Sequence, residues 1–433
     1  MVMKPQNFEE RLIWYPMVGT YVLYVSGLLY IVNSTIAWIL LFYLCVKLWY
    51  QKPDTPAEEK IKIPWIIWLW IICMLVMVVG GYIGSINSGQ DIRSIIRGVL
   101  NWTREWALFA LFPLAGCCLK IRPQLIYRAV CILCLQSLFV IPISVGAYLL
   151  KIPNLIYSSP LERITQNGQM YFDVVLYFKE ADFGEGFRLT LFAPWSPALA
   201  LLAVMYFFFA LQEKTQKWRW IGIIASLIIS YLTAARTSIV CFPTVAILMW
   251  LFTNFYRPYT QILCSATCFI SGISSSFIIG LYRDFEDKFV SSRQGSSRVR
   301  SVLTRMALER FKDAPIWGHS QPEKGFVGTA NMPIGSHHNW VGLLFIKGLV
   351  GFFAFLIPIT STFLYLLVIA QKSEIARAAL SFILILMVFS FAENLDLLAY
   401  LYYPGLILMG IAFQSQPKHL TFKSESFQSV YMN

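Results

Sequence analysis

The sequence predicts an all-α polytopic membrane protein, and three observations carry that reading. Charged residues make up 13% of the chain and hydrophobic residues 57%, whereas a soluble domain draws about a quarter of its residues from the charged types. The apolar residues arrive in runs of roughly 18 or more, the length that crosses a bilayer as helix. From Ile13 to Val46 there is no charged side chain. A chain so poor in charge cannot cover a water-facing surface, which excludes a soluble enzyme and argues against nucleic acid as a partner.

The first two spans, 13–32 and 34–47, are predicted to turn near Asn33 and Ser34. Lys47, Lys52, Lys60 and Lys62 mark the polar loop that follows, and the third span covers 64–84. Residues 88–104, with Arg93, Arg97 and Arg104, form an amphipathic connector. The fourth span ends at Lys120, Arg122 and Arg128, and the fifth runs to about residue 150. After the polar loop 151–188 come spans at 190–211, 220–235, 237–254 and 260–281. The longest polar segment, 282–337, precedes three late spans near 340–370, 378–392 and 397–413. The total is about twelve, in a single integral membrane domain over 1–433.

Orientation follows from the short basic loops. Lys47–Lys62, Lys120–Arg128, Lys214–Arg219, Lys372–Arg377 and the C-terminal tail alternate along the chain, and all become cytoplasmic if both termini are inside. Residues 85–105, 151–188 and 282–337 then face out. These outer loops are basic too, so the net charge of +12 is more than a topology signal. The N-terminus has no cleavable signal pattern. Cys45, Cys73, Cys117, Cys118, Cys131, Cys134, Cys241, Cys264 and Cys268 fall in or beside apolar runs, so no disulfide framework is expected. The Cys131-x-x-Cys134 spacing reads as helix packing.

Within 282–337, Arg298, Arg305 and Lys312 recur at seven-residue spacing and share one helix face, while Val299, Val302, Leu303 and Met306 share another. That is an amphipathic helix able to lie on the membrane surface, apolar face down, and ending near Asp313 before Pro315. His319, His337 and His338 are in the same loop and His419 is in the tail. A histidine near its ordinary pKa of about 6.5 is the usual general base at neutral pH. The competing reading is a histidine that caps the helix starting near Asn339.

Arg236 sits between two apolar runs and Arg188 at the outer mouth of a span, each readable as a snorkelling anchor or an anion ligand. Arg298 and Arg300 follow a Ser-Ser pair and read as a solvated basic face or as phosphate ligands. Arginine matches phosphate oxygens bidentately and stays charged. External arginines beside a histidine are what transfer from a lipid diphosphate requires: a base for the acceptor hydroxyl, and cations for the departing diphosphate. Asp284, Glu286 and Asp287 are one short acidic run and weak as a metal site, so a metal-independent reaction is expected.

These residues resemble the O-antigen ligase and polymerase family of bacterial membrane proteins. The clearest match is Gly335-Ser336-His337-His338-Asn339-Trp340, continuing to Lys347-Gly348-Leu349-Val350-Gly351, and its register makes His337 the motif histidine. His338 stands where the family has Asn, Ser or Gln. Arg300 followed by Asp313-Ala314-Pro315-Ile316-Trp317-Gly318-His319 resembles the family's Arg, helix and Pro-x-x-Gly-x-Gly segment. Ala235-Arg236-Thr237-Ser238 resembles a Ser-Arg-x-x-Leu signature, and Arg188 to Pro194 an Arg-x-x-Gly stretch with Leu191 in place of glycine.

The resemblance spans about 185–355 and implies a GT-C-like fold in a bacterial inner membrane, with the active site facing the periplasm. It implies an undecaprenyl-diphosphate-linked glycan donor, transfer to an acceptor sugar hydroxyl with inversion, and no cofactor. By carry-over His337 is the base, with His338 its rival, while Arg236 and Arg300 contact the diphosphate and Arg188 and Arg298 are secondary. The Gly335–Gly348 run looks closer to polymerases of capsule and exopolysaccharide than to ligases that transfer finished chains to lipid A core. A chain-length regulator is a partner of the former. A non-enzymatic exporter would need charges at mid-span depth, and the spans are nearly free of them.

Overall fold

The computed structural model describes residues 3–52, 60–165, 168–180, 184–277, 279–281, 283, 294–325 and 332–414. Its first half holds α1 (Phe8–Val18), α2 (Thr20–Val25), α3 (Leu29–Trp49), α4 (Trp65–Asn87), α5 (Ile92–Arg104), α6 (Leu108–Cys118) and α7 (Pro123–Leu149). A loop follows with two antiparallel hairpins, β1 (Leu155–Ser158) with β2 (Asp173–Val175) and β3 (Phe178–Glu180) with β4 (Gly184–Arg188), and a one-turn helix α8 (Glu162–Thr165). The second half holds α9 (Ser196–Ala210), α10 (Gln216–Leu232), α11 (Arg236–Asn254), α12 (Pro258–Ile273), α13 (Gln294–Phe311), α14 (Asn339–Ile369), α15 (Glu374–Phe389) and α16 (Ala399–Gln414). The run 282, 284–293, with Asp284, Glu286 and Asp287, and the tail with His419 lie outside the described residues.

Six helices among the described residues are long and apolar enough to cross a membrane: α3, α4, α7, α11, α14 and α16 with the turn before it. A seventh is added if α12 and its continuation Ser275–Leu281, bent by 75°, form one span. The chain is thus a multi-pass membrane protein, and the count of about twelve goes beyond what length and apolarity establish. Three shorter helices, α6, α9 and α15, are largely buried inside the bundle. α6 and α16 pack so closely that a Cβ on Gly116 would overlap the Ile407 carbonyl, and one on Gly410 the backbone of Pro113. Small residues let backbones approach in this way inside membrane bundles.

The first turn is displaced from the sequence expectation. The chain breaks at Ser26–Leu28, where Gly27 takes φ +70. Asn33 lies inside α3, buried, and its Nδ2 donates to the Tyr400 carbonyl at 3.0 Å. An asparagine in an apolar run reads as a turn, yet here it ties two helices together.

Polar contacts sort the helix ends into two groups. At one end Lys47 meets Glu9, Asn7 Nδ2 donates to Lys120 O, Arg122 meets Glu10 and Arg128 meets Glu213. The other end gathers the 151–188 loop, the α4–α5 junction, the segment from Pro315 to His338 and the α15–α16 turn; Gln90 Nε2 donates to His319 O and Leu395 N–H to Asn339 Oδ1. The candidate site is at this second end.

Candidate active site

The site begins with a broken helix. Inside α14, Gly348 has φ +64 and ψ −166, which is not helical. The break leaves backbone groups of the α14 ladder without their usual partners. The segment after Pro315 supplies them: Leu349 N–H donates to Pro315 O at 2.9 Å and Val350 N–H to Ile316 O at 3.2 Å. In return His319 N–H donates to Phe345 O at 2.9 Å and Ser320 N–H to Ile346 O at 2.8 Å. The exchange needs two bare backbones. Gly318 has φ +69, a Cβ there would lie 2.5 Å from Gly348 N, and a Cβ on Gly348 would collide with the Ile316 carbonyl.

α13 packs over this seam. Val299, Leu303 and Ala307 are buried with Ile334 and Phe345, flanked by Met306, Met332, Val341 and Ile346. The apolar stripe expected to face lipid is therefore turned onto protein, because α14 offers it an apolar bed. The basic face is solvated: Arg298 is exposed, and Arg305 pairs with Glu309 one turn on at 2.9 Å. His319 stacks on Phe345 and its Nδ1 is 3.2 Å from Phe345 O, which makes it part of the seam.

The adjacent histidines are turned to different tasks. Gly335 has φ +91 and His337 φ +65, a left-handed conformation that few non-glycine residues adopt, histidine among the more tolerant. His338 then returns to extended backbone as the N-cap of α14, and its Nδ1 accepts from Val341 N–H at 3.4 Å. Burial holds His338 below its ordinary pKa. An Nδ1 that accepts leaves the proton on Nε2, so His338 cannot take another without giving up the cap. His337 instead lines a cavity of about 420 Å³, within the size of small-molecule sites.

That cavity is walled by Arg188 from the end of β4, Trp195 and Ser196 from the start of α9, Arg300 from α13, and Glu393 and Asn394 from the α15–α16 turn. Arg188 is buried, at 8% exposure, and Arg300 is half-buried. Glu393 is buried; its Oε2 accepts from Trp195 Nε1 at 2.8 Å, and its Oε1 stands 3.9 Å from Arg300 Nη2. Burial pushes the Glu393 carboxyl up to about 6, against the pull of Arg300 and the Trp195 hydrogen bond. Burial, aided by the Arg300 charge, pushes His337 down to about 4. The imidazole is therefore neutral at pH 7, with Arg300 and Arg188 as cations beside it.

Sequence reasoning named His337, Arg188 and Arg300, and the fold brings all three to this cavity. Arg298 points to solvent. Arg236 opens α11 outside the cavity wall, although its turn adjoins Arg188, since Leu189 N–H donates to Leu232 O at 3.0 Å. Leu191, standing where the resemblance has glycine, has φ +50, a conformation glycine takes at no steric cost. Glu393 and Trp195 were missed. The available signal was an acid in the short turn between two late spans of an acid-poor chain. Among the described residues no group of three His, Cys, Asp or Glu side chains is placed to hold a metal ion.

Comparison with known proteins adds one finding. Residues 221–356 match the O-antigen ligase family model, which supports an O-antigen ligase/polymerase family assignment. The matched stretch runs from α10 through the Pro315–Gly318 segment, His337 and the break at Gly348. No curated protein matches the chain.

Proposed function

We propose that the protein is a metal-independent glycosyltransferase that joins lipid-diphosphate-linked oligosaccharides into a surface polysaccharide, working at the periplasmic face of a bacterial inner membrane. The observation that carries the proposal is the convergence of His337, Arg188 and Arg300 on one cavity at the membrane-helix ends. In this reading His337 accepts the proton of an acceptor sugar hydroxyl. The hydroxyl oxygen bonds to the anomeric carbon, and the bond from that carbon to the diphosphate oxygen breaks. The diphosphate stays on its lipid, its new charge held by Arg300 and Arg188. In the same reading Arg236, which opens α11 on the neighbouring turn, assists them. The shorter helices complete about twelve crossings of a GT-C-like bundle, with the basic end of Lys47, Arg122 and Arg128 in the cytoplasm.

Polymerase activity is favoured by the sequence run around His337, and transfer to lipid A core is the alternative the test separates. Wild-type protein, His337→Ala and His338→Asn are incubated with a lipid-diphosphate-linked oligosaccharide alone. Elongation by wild type and His338→Asn, but not by His337→Ala, is the expected result, because asparagine caps a helix as well as His338 does. No elongation until lipid A core is added makes the enzyme a ligase. No transfer under either condition removes the enzyme reading and leaves export.

A further inference from the structure

Trp195, Ser196 and Pro197, the residues that open α9, all stand in the wall of the His337 cavity, so the helix begins at the cavity. The first turn of an α-helix leaves N–H groups without partners inside the helix. In α9 the ladder starts with Leu199 N–H donating to Trp195 O at 3.3 Å. The N–H groups of Ser196 and Ala198 are left for partners outside the helix, and Pro197 has none to give. A polar side chain at the N-cap usually takes one of these groups. Here the N-cap is Trp195, which offers no acceptor. Glu393, the acid in this wall, accepts from the Trp195 indole and does not cap the turn. The positive end of the helix is thus uncapped, and α9 is buried along most of its length, where solvent screens it little. A second observation lies in the same turn. Ser196 is 1% exposed, and its Oγ has no hydrogen-bond partner among the described residues. A buried hydroxyl left unbonded is unfavourable, and alanine at this position would avoid it.

We propose that the start of α9 is a phosphate-binding element of the cavity: Ser196 Oγ and the first-turn N–H groups donate to phosphate oxygens of the lipid diphosphate. The identity of that ligand rests on the glycosyl-transfer reading given above. Uncapped helix starts take anions of this kind, through N–H groups and dipole together. Arg188 and Arg300 stand in the same wall and supply the countercharge. The two sets of donors are complementary. A diphosphate has more acceptor oxygens than two guanidinium groups can satisfy, and the α9 turn offers neutral donors that Glu393 leaves unused.

The test titrates full-length protein in nanodiscs with farnesyl diphosphate, and with farnesol as the uncharged control, for wild type, Ser196→Ala and Ser196→Asp. Wild type should bind the diphosphate in preference to farnesol. Ser196→Ala should weaken diphosphate binding about tenfold, the worth of one hydrogen bond to a charged group. Its ligand-free melting temperature should stay level or rise, because an unbonded hydroxyl has been removed. Ser196→Asp should lose the diphosphate, its own carboxylate taking the place of the anion. Diphosphate binding by either variant as tight as wild type overturns the assignment, and so does a wild type that prefers farnesol or holds the two alike. A ligand-free melting temperature that falls in Ser196→Ala along with binding also overturns it, since the hydroxyl would then be bonded within the protein. Transfer assays on the same preparations separate this site from the reading beneath it. Wild type that binds the diphosphate and transfers nothing keeps the α9 site and loses glycosyl transfer. Wild type that transfers, with Ser196→Ala unchanged in Kd and in donor KM, keeps glycosyl transfer and loses the α9 site.

Discussion

Glu213 and Glu393 are both buried carboxylates beside an arginine, at opposite ends of the helix bundle, and they are treated in opposite ways. Glu213 takes two bonds from Arg128, at 2.8 and 3.1 Å, and Arg128 also donates to Thr215 Oγ1 and lies over the Trp218 ring. Burial pushes the Glu213 carboxyl up, but those bonds outweigh it and the carboxyl ends below its ordinary range. Glu393 has its arginine at 3.9 Å across the edge of a cavity, and burial prevails, leaving it near 6. A satisfied pair has little left to offer a ligand. An arginine held loosely by an acid whose charge burial disfavours can change partner, which is what an anion-binding site needs.

The sharpest way to break this contrast is to remove His337. His337→Ala should lower kcat by about 10²–10⁴-fold with the melting temperature only slightly lowered, since the side chain faces a cavity but alanine takes φ +65 less readily than histidine. Loss of fold together with activity would instead make His337 a structural residue. Arg300→Gln comes next. It should cost about 10²–10³-fold and also move a titration: with the Arg300 charge gone, His337 should rise from about 4 towards its ordinary value. The acid limb of kcat/KM, which reports free-enzyme groups, should move to higher pH in the variant.

The Glu213 end should respond in stability alone. Glu213→Gln leaves the buried Arg128 uncompensated, and breaking such a pair costs about 3–5 kcal/mol. The fraction that remains folded should transfer glycan at the wild-type rate. A matching fall in turnover per folded molecule would mean that the two ends are coupled, and the contrast between a closed end and a working end would not hold.

What could be read beforehand divides along the same line. Membrane class follows from apolar runs and needs no knowledge of which helices touch. His337, Arg188 and Arg300 are visible because they are charged or titratable residues in polar loops. Glu393 escaped because its meaning depends on the Trp195 indole almost 200 residues away. The glycines of the Pro315–Gly318 and Gly348–Gly351 runs were legible as a pattern, but their purpose was not. Only the structure has one backbone inserted into the break of the other. The position of the first turn was misread for a related reason. Hydropathy cannot distinguish a polar residue that ends a helix from one, like Asn33, that bonds across to another.

The smallest expected effect bears most directly on how the site exchanges partners. A carboxyl raised to about 6 is protonated below that pH and charged above it. Above pH 6, ionised Glu393 competes with the donor diphosphate for Arg300, so KM for the donor should rise severalfold as pH increases through 6. His337 is a base only above about 4, so kcat/KM should fall off below that value. The optimum then lies between about 4 and 6 on the acid side of neutrality. Glu393→Gln keeps an acceptor for Trp195 Nε1 and removes the charge, so its profile should be flat above pH 6 while the limb near 4 stays in place. The sign for stability is the same. A carboxyl whose folded pKa is raised favours the fold fully below its ordinary value of 4.5 and loses that contribution as pH rises from there through about 6, so the variant should gain on wild type in melting temperature over that interval and hold the gain above it. If the glutamine variant instead lost activity at every pH, Glu393 would be taking a proton from the acceptor itself, and the roles of base and competitor at this site would have to be exchanged.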